Sequence, residues 1–368
     1  MNVLHVYKDY YPVIGGIENH LKMVAEGQVK AGLKVTVLVN SLNIKTKIEK
    51  KNGVNIIKVG RLATFASSPI GPKIFSYIRK HKSDITHLHF PNPMGEVAHF
   101  LFGKGKKTVL TYHSDIVRQA KLLKFYNPLL LKILKKVDKI IATSPNYIDT
   151  SSYLKRFKDK CVQIPLGIDC SLFKPEISEI DRKLEKKYGK DYILFVGKLR
   201  YYKGLEYLIQ AMKAIPAKLL IVGDGPLEET LKNLVKDINL IKKVLFLGKV
   251  EEDILPSLYR LSNFLVLPSI KRSEAFGIVQ LEAMACGKPV ICTELGTGTS
   301  YINQHERTGL IIPPGDFNAL IQAISRLLNN KNEREIMGKR ARNRVEEHFS
   351  FEYMLKKIIV LYENLFSC

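Results

Sequence analysis

Ser273-Glu274-Ala275-Phe276-Gly277-Ile278-Val279-Gln280-Leu281-Glu282-Ala283-Met284-Ala285-Cys286-Gly287, running on into Lys288-Pro289-Val290-Ile291, is the stretch that decides the fold. Its two glutamates stand eight residues apart. On one straight helix they would lie about 12 Å apart along the axis and roughly 80° out of phase, so they cannot face each other as an acid–base pair. The spacing puts Glu274 in a loop and Glu282 within a helix starting near Gly277. Such a helix start offers free backbone N–H groups, a seat for a diphosphate, and glycine allows close approach. Two glutamates at this spacing also fit an amphipathic helix with a glycine entry and a surface carboxylate. The residues fixed between and after them make the string specific.

Around that string, short apolar runs alternate with helical stretches. Tyr192–Val196, Lys218–Val222, Val244–Leu247, Phe264–Leu267, Pro289–Cys292 and Gly309–Ile312 read as strands. Gly223-Asp224-Gly225-Pro226 is a strong turn signal between two of them. The first half repeats the pattern, with strands predicted at Val3–Tyr7, Val35–Val39, Ile85–His89, Thr108–Thr111 and Lys139–Thr143. Ile17, Leu21, Val24 and Ala25 recur at helical spacing after the first of these. Strand–helix alternation implies parallel sheets covered on both faces, hence an α/β chain of two Rossmann-like doubly wound domains. The expected division is 1–168, 169–349 and a final helix from 350 to the end. That helix carries Phe351, Met354, Ile358, Leu361 and Leu365 on one stripe.

The 368 residues suit two cores, and a hydrophobic content of 46% is that of a globular protein. No apolar run is long enough to span a membrane, and Met1–Asp9 reads as a short strand followed by charges rather than a secretion signal. Cys161, Cys170, Cys286, Cys292 and Cys368 show no C-x-x-C spacing and are expected to be reduced thiols of a cytoplasmic protein. The net charge of +23 is uneven: residues 1–170 hold 28 Lys and Arg against 11 Asp and Glu, and residues 171–368 hold 30 against 24. A basic half suits phosphorylated substrates, an anionic membrane or nucleic acid. Residues 116–139 concentrate the effect, with Arg118, Lys121, Lys124, Lys132, Lys135, Lys136 and Lys139 interleaved with leucines. They suit a membrane interface, and equally two core-packing helices with a basic edge, broken at Asn127-Pro128. No nucleic-acid-reading motif is present, so no nucleic-acid partner is expected.

The string from Glu274 onward resembles the retaining glycosyltransferases of family 4, which have the GT-B fold of two Rossmann-like domains facing across a cleft. Their E-x-F-G-x-x-x-x-E and A-x-A-x-G-x-P-V-I patterns match at every fixed position. The resemblance runs nearly end to end. It implies that Glu274 contacts the transferred sugar, that Glu282 holds the ribose hydroxyls, and that amides around Phe276, Gly277, Ile278 and Val279 bind sugar and phosphate. It also implies that the final helix packs back on the N-terminal domain. The family's G-R-x-x-x-x-K-G segment supplies an Arg and a Lys to the donor diphosphate. Here Lys203 matches the lysine and Lys198 stands in the arginine position, without a guanidinium's bidentate grip. Arg200 is a candidate substitute. Gly248 and Val250, after a predicted strand, complete the nucleotide-binding set.

In the N-terminal half, Gly15-Gly16-Ile17-Glu18 matches the family's G-G-x-E, whose glycines lie against donor phosphate and acceptor. Thr111-Tyr112-His113-Ser114-Asp115 matches its T-x-H-x-D, which places His113 near the sugar as a hydrogen-bonding group. Glu18, His89, Tyr112 and Asp115 are the acceptor-side candidates. His87 and His89 share one strand face, and with no third ligand evident they read as packing or cleft lining rather than metal ligands. No Asp-x-Asp occurs, so lysines and helix amides are expected to serve the diphosphate without metal or other cofactor.

The expected activity is retaining transfer of a hexose to a glycan or lipid-linked acceptor in cell-surface polysaccharide synthesis, peripherally bound at the inner face of the plasma membrane. GDP-mannose is the first candidate donor. The alternatives are a UDP-sugar such as UDP-N-acetylglucosamine, or a non-catalytic membrane- or glycan-binding protein on the same fold.

Overall fold

The computed structural model describes every residue except Ile14, Ser67, 117–119 and Cys368, and leaves the side chains of Ala120 and Lys121 undescribed. The chain divides into two compact units, Met1–Pro165 with Met354–Cys368, and Leu166–Tyr353.

Among the described residues the first unit has ten strands: β1 (Asn2–Val6), β2 (Lys34–Asn40), β3 (Lys47–Lys51), β4 (Val54–Val59), β5 (Ala63–Phe65), β6 (Ser68–Ile70), β7 (Ile85–Phe90), β8 (Lys107–Tyr112), β9 (Lys139–Ala142) and β10 (Cys161–Gln163). Eight of them form one sheet in the order β10-β9-β8-β7-β1-β2-β4-β3. Its central strands are buried along nearly their whole length, as strands covered on both faces must be, with Val3, Leu4, Val6, Val37, Val39, Val109 and Leu110 essentially inaccessible. The sheet is parallel except at one edge, where β3 runs antiparallel to β4. The wholly parallel expectation fails there because Asn52-Gly53, both at positive φ, makes a two-residue hairpin turn.

Residues 116–139 also depart from expectation. Asn127-Pro128 does not split them: one helix runs Ala120–Lys136 with Pro128 inside it. Proline forfeits one backbone hydrogen bond and crowds the preceding turn. Burial of Leu130, Ile133 and Leu134 on the core side of the continuous helix offsets that loss. The helix Phe351–Asn364 contributes Tyr362 to the first unit, where its hydroxyl meets Gln28 and His87.

The second unit is a six-stranded sheet, wholly parallel, of β11 (Tyr192–Val196), β12 (Leu219–Val222), β13 (Val244–Gly248), β14 (Ser262–Leu267), β15 (Val290–Thr293) and β16 (Gly309–Ile312). The order is β13-β12-β11-β14-β15-β16. Entry and exit of this unit are tied together: Ile168 N–H donates to Phe349 O at 3.0 Å and Phe351 N–H to Ile168 O at 2.8 Å. Both sheets have the doubly wound order, which opens a ligand crevice where the winding direction reverses. That point lies between β11 and β14 in the second unit, and between β1 and β7 in the first.

Candidate functional site

In the second unit the loops leaving β11 and β14 meet at the reversal point. The first runs from Gly197 into a single 3-10 turn, Tyr201–Lys203. The second runs from Pro268 to Ile278 ahead of the helix Val279–Ala285. Ile270 N–H donates to Tyr202 O at 2.8 Å and joins them. Across the joint Lys203 Nζ lies 2.6 Å from Glu274 Oε2, both side chains about nine-tenths buried. Ser269 Oγ donates to the same oxygen at 3.0 Å, and Thr297 Oγ1 holds the Glu274 carbonyl at 2.8 Å. Gly197, at φ +150, leaves the room the lysine uses: a Cβ there would sit 3.2 Å from Lys203 Nζ.

Glu282 lies in the first turn of the helix Val279–Ala285, and Glu274 lies in the loop before it. Tyr259 OH donates to Glu282 Oε2 at 2.6 Å. Burial pushes the Glu282 carboxyl up to about 7, against the opposing pull of that hydrogen bond. Gly277 turns the chain at φ +80, and a Cβ there would meet Gln280 Nε2 and Leu267 Cδ2 at 2.8 Å each. Phe276 is buried in the core, and Ile278 and Val279 are half-buried.

Lys198, in the arginine position, is half-exposed and paired with Asp224 at 2.5 Å, so its charge is held by the Gly223-Asp224-Gly225 turn. Arg200 is exposed. Gly248, at φ +66, ends β13, and its carbonyl accepts from Gly223 N–H at 2.8 Å.

In the first unit the reversal point gathers Gly15-Gly16, at the start of the helix Gly16–Lys30, and His113, just past β8. A Cβ at Gly15 would strike Glu18 Oε2 at 2.2 Å. Burial raises the Glu18 carboxyl above its ordinary value. Tyr112 is fully buried, and its hydroxyl donates to Asp115 Oδ1 at 2.9 Å, as does Ser151 Oγ at 2.7 Å. Those two acceptor-side candidates therefore brace the loop after β8. Arg118 of the basic stretch lies outside the described residues.

His87 and His89 have close ring neighbours that their spacing did not reveal. His5 on β1 and His113 beyond β8 supply them, and His20 packs edge-on against His89 and His113. Two groups of three, His5 with His87 and His89, and His20 with His89 and His113, stand close enough together to share an ion. Three of the rings are already bonded to one another: His5 Nδ1 and His89 Nε2 are 3.0 Å apart, as are His89 Nδ1 and His113 Nε2, while both ring nitrogens of His20 are buried without a hydrogen-bond partner among the described residues. Burial holds all five below the ordinary histidine range, which keeps them neutral. His5, His20, Gln28 and Tyr362 were missed because strand register and helix docking, not local spacing, bring them to His89.

Two doubly wound sheets in series, each with polar loops at its reversal point, define the GT-B class. The family models agree: Glycosyltransferase Family 4 matches residues 14–172 and Glycosyl transferases group 1 matches residues 176–344. O-antigen chain mannosyltransferase C of Escherichia coli is 37% identical, over 99% of both chains. D-rhamnosyltransferase WbpZ of Pseudomonas aeruginosa is 39% identical, over 95% of this chain and 92% of that protein. Among solved structures, sucrose-phosphate synthase of Thermosynechococcus elongatus superposes with a TM-score of 0.83 at 26% identity, covering 100% of this chain and 99% of its own. The chain belongs to the family 4 glycosyltransferases. Among the described residues no helix is long and apolar enough to cross a membrane.

Proposed function

We propose that this glycosyltransferase moves a hexose, with mannose from GDP-mannose as first candidate, onto a glycan or lipid-linked acceptor in cell-surface polysaccharide synthesis. The observation that carries the reading is the buried Lys203–Glu274 pair at the reversal point of the second unit, on the loop that leads to Glu282. The two relatives named for mannosyl and D-rhamnosyl transfer support the sugar class.

Lys203 and Lys198 supply positive charge for the leaving diphosphate, Glu282 accepts from the ribose hydroxyls, and Glu274 contacts the transferred sugar. In the first unit, His113 is the group that hydrogen-bonds a sugar hydroxyl. The contacts of Glu274 with Lys203 and Ser269 support reading it as a binding group rather than a free nucleophile. That favours a front-face route with retention. The acceptor oxygen bonds to the anomeric carbon as the bond to the diphosphate oxygen breaks, and the departing diphosphate takes the acceptor's proton. The cations stabilise its growing charge without a metal.

The helix Ala120–Lys136 suits docking on an anionic membrane. Phe125 is 87% exposed and Leu122 43%, beside exposed Lys124 and Lys132. Each cation near such a surface contributes about 1 kcal/mol.

A thermal-shift panel of GDP, UDP, ADP and dTDP, each with EDTA and with magnesium, tests the donor site, because a ligand of the native state raises its melting temperature. GDP is expected to act in EDTA. A shift with UDP alone would replace the donor by a UDP-sugar such as UDP-N-acetylglucosamine. No shift with any nucleotide would overturn the transferase site.

A further inference from the structure

Four buried histidines of the first unit, His5, His87, His89 and His113, lie on one continuous hydrogen-bonded chain with a direction. At its centre is Gln28, fully buried on the helix Gly16–Lys30. Its Oε1 lies 2.8 Å from His5 Nε2, and its Nε2–H donates to the Tyr362 hydroxyl oxygen at 3.3 Å. An amide oxygen only accepts and an amide nitrogen only donates, whereas imidazoles and hydroxyls serve either way. Gln28 is thus the member whose two ends are chemically inequivalent.

The direction propagates from it. His5 Nε2–H must donate to Gln28, which leaves His5 Nδ1 as an acceptor for His89 Nε2–H at 3.0 Å. His89 Nδ1 then accepts from His113 Nε2–H at 3.0 Å. The last atom of this branch, His113 Nδ1, is buried, unprotonated and without a partner among the described residues. On the other branch Tyr362 OH donates to His87 Nδ1, and His87 Nε2–H donates to Thr111 Oγ1 at 2.6 Å.

We propose that Gln28, acting through His5 and His89, fixes the tautomer of His113 so that its Nδ1 is held as a lone-pair acceptor for a donating hydroxyl of the bound sugar. The proposal rests on the reading above that His113 meets the sugar. It makes Gln28, His5 and His89 positioning residues. A neutral ring free to exchange tautomers would present the acceptor only part of the time and would repel the hydroxyl proton otherwise. A chain of three bonds ending on an amide removes that freedom.

The test is the ring spectrum of the full chain labelled with 15N-histidine, recorded at pH 8. Signals are assigned by His113→Gln, His89→Gln and His87→Gln. Unprotonated Nδ1 and protonated Nε2 are expected for His113. Gln28→Leu removes the source of direction, and His113 should become a mixture of tautomers. Gln28→Glu is the discriminating variant. Its carboxylate accepts from both His5 and Tyr362, so His113 should keep its tautomer while His87 reverses.

A protonated Nδ1 on wild-type His113, or a His113 pattern unchanged in Gln28→Leu, would overturn the proposal. So would stoichiometric metal in the purified protein with these rings as its ligands. In turnover of GDP-mannose, kcat should fall at least fivefold in Gln28→Leu with KM within twofold, and recover in Gln28→Glu. Spectra that change as stated while kcat does not would remove His113 from the sugar, and so sink the positioning role. Unchanged spectra would sink the relay and leave the proposed transfer standing.

Discussion

Lys203 Nζ and Glu274 Oε2 lie 2.6 Å apart in the second unit, a lysine from the loop after β11 closing on a glutamate from the loop after β14. Neither loop is regular structure beyond a single 3-10 turn. Their meeting follows from the pairing of β11 with β14, which puts the two strand ends side by side.

The pair separates catalysis from stability in a way that variants can resolve. Lys203→Ala leaves a buried carboxylate with only Ser269 beside it, and should lower stability by about 3 kcal/mol in denaturant titration. It should also slow transfer at least tenfold, equivalent to about 1.4 kcal/mol. A double variant, Lys203→Met with Glu274→Leu, should regain most of the stability and none of the activity. Transfer at the wild-type rate in Lys203→Ala would remove the lysine from the donor site.

Glu282 predicts a pH dependence. Burial holds its carboxyl at about 7 in the folded chain, above the ordinary 4.5. The native state therefore binds this proton more tightly than the unfolded one. The stability it contributes is fully present below about pH 4.5 and is lost as pH rises through 7. Glu96, pushed up to about 7 by burial beside Tyr126, adds a term of the same sign. Melting temperature against pH should fall less steeply between pH 5 and pH 7.5 in Glu282→Gln, which should also bind nucleotide more weakly. Parallel melting curves for the variant and wild type would contradict the assignment.

Gly277 should tolerate no side chain. At φ +80, with two neighbours 2.8 Å from where an added methyl would sit, Gly277→Ala should cost about 1–3 kcal/mol and abolish the nucleotide-induced thermal shift. Retention of both would show that the loop before the helix Val279–Ala285 adapts freely.

Membrane docking has a direct measurement. Phe125→Glu should lower sedimentation with phosphatidylglycerol vesicles at least fivefold, and raising salt should weaken the wild type. The GDP-induced shift should be unaffected in the same variant. Equal vesicle binding by the two proteins would leave Ala120–Lys136 as an ordinary helix with a basic edge.

Much of this was legible in the sequence because it is local. Runs such as Tyr192–Val196 and Val290–Thr293 are short, apolar and bounded by glycine or proline, and each became a buried parallel strand. The edge hairpin was within reach as well, since Asn52-Gly53 between alternating residues is its usual signal. Pro128 misled because a local penalty of one hydrogen bond was outweighed by the burial of Leu130, Ile133 and Leu134, which no short window shows.

The sequence by itself determined the doubly wound class, the family and the chemical types at the strand ends: Lys203, Glu274, Glu282 and His113. Only the tertiary structure decided which of them touch. It paired Lys203 with Glu274, tied Lys198 to Asp224, and joined His113 through His89 and His5 to Gln28. Hydrophobic periodicity and turn chemistry act over a few residues and are written in order along the chain. Strand register and helix docking set contacts between residues far apart in that order, and those contacts fix the charge and tautomer of each group.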